Sequence, residues 1–150
     1  MSWSERIRRL STLAPWTALL MAIGCGGGGD KSPTAPGADG VVQFELSSVG
    51  KIALPADVQA EDCTPTRIYG GQLQLTDDGS WQLRLQVHDG IEGDWLYGDD
   101  GEVEDDGPNL WFQSTYSGST YPADADGSTI KIMYDWCYNG VPDMQLVFDR

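Results

Sequence analysis

The stretch Gly71 to His88, GQLQLTDDGSWQLRLQVH, decides the fold class. Leu73 and Leu75 alternate with Gln72 and Gln74. Trp81, Leu83, Leu85 and Val87 alternate with Gln82, Arg84, Gln86 and His88. Successive side chains of a strand point to opposite faces, so this period of two sends one set into a core and the other into water. Asp78-Gly79, between the two runs, suits a tight turn with positive φ. The pattern predicts a half-buried β-hairpin.

Working upstream, Val42, Phe44 and Leu46 alternate with Gln43, Glu45 and Ser47, which predicts a first strand broken at Val49-Gly50. Lys51 to Leu54 reads as a short second strand stopped by Pro55. Pro55 to Thr64 reads as a loop carrying Asp57, Glu61, Asp62 and Cys63. Thr66 to Gly70 leads into the hairpin, with Gly70-Gly71 as a bulge or bend. Downstream, Asp-Gly pairs begin at Asp78, Asp89, Asp100, Asp106 and Asp126, and Asn139-Gly140 follows. They read as turns between short strands. Trp95 and Tyr97 lie in one such strand and Leu110 to Tyr116 form another. Ile130, Ile132, Tyr134 and Trp136 mark a third, and Met144, Leu146 and Phe148 the last.

No stretch after the leader sustains a 3.6-residue apolar period. Consecutive hairpins imply an antiparallel meander, since parallel strands need long crossovers. A meander of about seven or eight strands can close and remove its edges. The expected fold is all-β, a small barrel, with a β-sandwich as the alternative. Phe44-Glu45-Leu46-Ser47-Ser48-Val49-Gly50, Leu54-Pro55 and Leu73 to Trp81 resemble the small lipocalin-like barrels of bacterial lipoproteins. The Gly-x-Trp that opens true lipocalins is absent, so the resemblance speaks to architecture rather than ligand.

The N-terminal segment reads as an export signal. Arg6, Arg8 and Arg9 precede the mostly apolar run Leu10 to Ile23, too short to span a bilayer comfortably. Ala22-Ile23-Gly24-Cys25 resembles the lipobox of bacterial lipoproteins, with Ala22 where that family usually has Leu. The resemblance implies removal of residues 1–24, lipid on Cys25 and anchorage in the cell envelope. Gly26 after the cysteine implies the outer membrane where the source has one. The alternative is ordinary cleavage near Gly24 and release of a soluble protein. Arg8-Arg9 is followed by Leu10-Ser11-Thr12, which lacks the apolar pair of a twin-arginine signal. Residues 25–40 are rich in Gly, Pro and Ser and read as a tether, with an r.m.s. span of roughly 20 Å as a random coil. Residues 41–150 form the single expected domain, long enough for one small core.

The chain carries a net charge of −14; loss of residues 1–24 removes three arginines and one glutamate, leaving −16. Such an acidic chain repels phosphate backbones, which argues against nucleic-acid partners. It also repels anionic membranes, so attachment has to come through lipid on Cys25.

Three residue classes were candidates for chemistry. Cys63 and Cys137 remain once Cys25 is assigned to lipid, and an even pair in an exported chain reads as a disulfide. Closing a loop of roughly 75 residues contributes about 4 kcal/mol when unstrained. His88 is the one histidine and falls on an outward position, which excludes sites built from several histidines. Asp89 to Asp106 packs nine carboxylates without a base. Asp99, Asp100, Glu102 and Glu104 are the weak candidates for a divalent ion there, although the spacing is not that of an EF-hand. Asp124-x-Asp126-Gly127 falls short as well. Solvated acidic hairpin loops are the plainer expectation, with no cofactor and no enzymatic activity. Trp81, Trp136 and Tyr134 fall on inward positions.

Two functional classes follow. One is a binding module for a small apolar ligand or a glycan. The other is a non-catalytic structural or interaction protein with a filled barrel. Oligomeric state is not legible in the sequence.

Overall fold

The computed structural model describes residues 40–59, 63–106, 109–126, 128–137, 140 and 142–150. The expected leader, Cys25 and the expected tether up to residue 39 lie outside the described residues. Ten strands make up the described elements, without a helix. They are β1 (Val41–Val49), β2 (Ile52–Ala53), β3 (Ala56–Val58), β4 (Thr66–Thr76), β5 (Ser80–Asp89), β6 (Gly93–Asp106), β7 (Asn109–Ser114), β8 (Thr120–Asp126), β9 (Thr129–Tyr134) and β10 (Met144–Asp149).

The strands from β4 to β10 each pair antiparallel with the next. β1 closes the ring by pairing twice. Val41 to Glu45 lie opposite Thr76 to Gln72 of β4, and Glu45 to Val49 lie opposite Asp149 to Leu146 of β10. The result is a closed barrel of eight antiparallel strands, with β2 and β3 as short additions on β1 and β4. The sandwich alternative is therefore set aside. Closure removes the open edges that a free meander would expose.

The central hairpin forms in the expected register, with Leu73 opposite Leu83 and Leu75 opposite Trp81. Gly79 takes φ 91° and its N–H donates to the Thr76 carbonyl at 3.0 Å. Asp78 accepts from the Ser80 N–H at 3.0 Å and the Ser80 hydroxyl at 2.7 Å, and also from the Thr76 hydroxyl. Hydrogen bonds from Ser80 and then Thr76 favour the ionised carboxylate and hold its pKa down to about 2. A bulge falls between Ile68 and Gly70. At Gly71 a Cβ would sit 2.4 Å from Leu85 Cδ2 and 2.8 Å from the Arg84 carbonyl, so a side chain has no room.

Alternation sends Phe44, Leu73, Leu83, Phe112, Ile132 and Phe148 into one interior cluster. Tyr121 and Tyr134 are fully buried among them. An interior of eight strands is just wide enough for side chains to fill. Each full burial of a Leu or Phe stabilises by about 1.5–3 kcal/mol relative to exposure.

The barrel has two unlike ends. The chain enters at Val41 beside Thr76 and leaves at Arg150, whose N–H donates to the Ser128 carbonyl at 3.0 Å. At the opposite end Cys63, before β4, is bonded to Cys137, after β9, with Cα atoms 5.8 Å apart. The expected disulfide is thus formed, across a sequence separation of 74.

Four local expectations need correcting. Asp100-Gly101 is not a turn but lies inside the 14-residue β6. Gly101 is needed there for close approach, because a Cβ would fall 1.8 Å from the Gln113 carbonyl oxygen. The acidic run is accordingly a strand rather than a set of loops. Pro55 to Thr64 contains β3, whose Ala56 is fully buried. Lastly, β9 ends at Tyr134, so Trp136 and Cys137 lie beyond it.

Candidate binding surface

Alternation along β6 splits the acidic residues. Asp99 is buried, whereas Asp100, Glu102 and Glu104 face solvent. The four weak metal candidates therefore do not converge, since a strand turns neighbouring side chains to opposite faces. Among the described residues no group of three or more His, Cys, Asp or Glu could hold a metal ion.

Asp99 is instead the hub of a buried network. Its Oδ2 accepts from the Tyr134 hydroxyl at 2.5 Å and, more distantly, from Tyr121 at 3.5 Å. Its Oδ1 accepts from the Ser114 hydroxyl at 2.7 Å and the Asp100 N–H at 2.8 Å. Because Tyr134 spends its single proton on Asp99, the Tyr97 hydroxyl donates to Tyr134, at 2.6 Å. Burial, then the Tyr97 neighbour, push the Tyr134 hydroxyl far above the usual tyrosine range. The rings pack around it at tilted angles, with Tyr121 and Tyr134 centroids 4.3 Å apart and Tyr97 and Trp136 5.0 Å apart. Every acceptor of Asp99 is engaged by a protein donor, so this cluster can fix the core but presents no open surface to a ligand.

The open surface lies outside the barrel. A depression of about 550 Å³ is lined by Tyr69, Gln86, Val87, Asp94, Trp95 and Leu96. A second of about 410 Å³ adjoins it at Tyr69 and runs past Arg67, Asp57, His88 and Thr66. The cross-strand row Gly70, Gln86, Leu96 and the pair His88, Asp94 lie on the outer face of β4, β5 and β6, whereas Val87 and Trp95 pair on the inward register. Tyr69 is 46% exposed and Leu96 56%, both on positions that alternation assigns to water.

Polar groups at the rim are held in pairs. Arg67 donates to Asp57 through Nε at 2.7 Å and through a second nitrogen at 3.0 Å. Asp57, and to a smaller degree Tyr69, raise the Arg67 pKa further above its already high value. His88 Nδ1 donates to Asp94 at 2.7 Å. Asp89 braces the adjoining turn, accepting from the N–H groups of Ile91 at 2.8 Å and Glu92 at 2.6 Å and from the Trp95 indole at 2.9 Å. The two backbone N–H groups, Glu92 first, hold its carboxyl below the usual range.

His88 is exposed as the pattern predicted, and Trp81, Trp136 and Tyr134 are buried as predicted. Tyr138, one of the aromatic residues, lies outside the described residues. Tyr69 and Leu96 were not singled out from the sequence. Their signal was present: an apolar side chain on the water-facing register of an alternating strand.

No protein-family model, curated protein or solved structure matches the chain.

Proposed function

We propose that the chain is an exported envelope protein, lipidated at Cys25, that serves as a non-catalytic binding module. Its ligand is a small apolar molecule or a glycan held on the outer groove. The observation that carries the reading is the pair of adjoining open depressions of about 550 and 410 Å³ on the outer face. Ligand pockets commonly fall in the range of roughly 300–1,000 Å³. The placement of the ends agrees. The chain enters at Val41, while Thr66, Asp89 and Gly90 of the second depression stand at the disulfide end. A tether to lipid at residue 25 would leave that end pointing away from the membrane.

The packed interior favours a second reading, an interaction protein whose barrel is purely structural. One purification separates the two. The full chain is expressed with its own leader in a bacterial envelope, with labelled palmitate, and examined by native mass spectrometry. The expected result is label in wild type but not in Cys25→Ser, and a co-purifying small molecule. Bare protein with no thermal shift across a lipid and glycan panel selects the interaction reading.

A further inference from the structure

We infer that the outer groove of β4, β5 and β6 is a subsite for a neutral glycan chain, with Tyr69 as its stacking platform; this rests on the binding-module reading above. Three observations converge on that class of ligand.

The first is the aromatic ring. Tyr69 lines both depressions and is 46% exposed, so an aromatic ring stands at their junction. A pyranose ring offers a matching apolar C–H face, while its hydroxyls stay available at the edge. The ring is an amphipathic platform of the kind aromatic residues supply at half-wet sites.

The second is charge. The chain is strongly acidic, at −14 overall. Yet the carboxylates at this rim already have partners, Asp57 with Arg67 and Asp94 with His88. Arg84 lies on the same face, within 3.9 Å of where a Cβ on Gly98 would stand. A cationic ligand would have to compete with these bases for the carboxylates. An anionic one would be repelled by the rest of the domain. A neutral, hydroxyl-rich ligand meets neither obstacle. It can use carboxylate and amide oxygens as acceptors and guanidinium and amide N–H groups as donors. Because the pairs hold those groups in place already, little side-chain ordering is needed on binding.

The third is shape. The two depressions adjoin on an open strand face rather than enclosing a cavity. Such a trough suits a chain of several sugar units.

The test uses the full chain, processed and purified from the envelope, with six-unit oligomers of β-1,4-glucose, α-1,4-glucose and β-1,4-N-acetylglucosamine. Calorimetry and intrinsic tryptophan fluorescence report binding. Palmitate, a basic peptide and an acidic peptide form the comparison arm. At least one neutral oligomer is expected to bind, with Kd raised about tenfold or more in Tyr69→Ala. Affinity should change by less than about twofold between low and high salt, because no net charge is neutralised. Leu96→Asp, at an exposed residue that lines the first depression, should weaken the same ligand while leaving thermal unfolding close to wild type. Failure of all three oligomers overturns the inference, as does wild-type affinity in Tyr69→Ala. Should palmitate or a peptide bind and be lost in Tyr69→Ala, the groove is a binding site and the glycan assignment alone is wrong. Should nothing in either arm bind, the binding-module reading falls with it.

Discussion

Asp99 shows how one buried carboxylate can organise a core. Its position, 3% exposed, would be costly for an unpaired charge, but it accepts from Tyr134, Ser114 and the Asp100 N–H at 2.5–2.8 Å. Tyr134→Phe removes the closer of the two donors to Oδ2 and the acceptor for Tyr97, and it does so without changing ring volume. The expected loss is about 1–3 kcal/mol, the usual cost of stranding a buried polar group, read as a lower urea midpoint at unchanged m-value. Tyr69→Phe, on the exposed face, should stay within about 0.5 kcal/mol by the same measurement.

Among the elements, β6 is where the sequence misleads most. Its composition is that of loops, with Asp100-Gly101 and seven carboxylates between Gly93 and Asp106, yet it is the longest of the described strands. Pairing on both sides explains it. Ser80 to Asp89 of β5 and Asn109 to Ser114 of β7 satisfy its backbone, and outward carboxylates remain in water. Glycines along β4 to β6 then differ in kind. Gly101→Ala drives a methyl group against the Gln113 carbonyl and should cost more than about 2 kcal/mol. Gly70→Ala has room and should change stability by less than about 1 kcal/mol. Equal effects at the two positions, measured by denaturant unfolding, would contradict the strand register.

For the whole molecule, the disulfide joins the segment before β4 to the segment after β9 at the end remote from the termini. Cross-linking residues 74 apart restricts the unfolded chain. The double substitution Cys63→Ser with Cys137→Ser should therefore lower stability by about 2–4 kcal/mol, with calorimetric melting as the readout. Closure of the barrel by β1 does not pass through that bond, so the variant should keep its strand signal in far-UV circular dichroism below the melt.

Local chemistry made several features legible in advance: the all-β class, the central hairpin, the bulge near Gly70 and the pairing of the two remaining cysteines. Each follows from near neighbours, from a period of two, from a turn needing φ above zero, or from counting thiols in a chain that reads as exported. The closing pairs of β1 with both β4 and β10 were not legible, because contacts between distant strands leave no mark on local periodicity. The burial of Asp99 was hidden for a related reason. An acidic residue looks solvated until three hydroxyl-bearing residues, Tyr134, Tyr121 and Ser114, are brought to it from other strands. Tyr69 likewise looks like one more strand aromatic. Only the assembled outer face shows that it separates two open depressions, since a surface exists only once strands lie side by side.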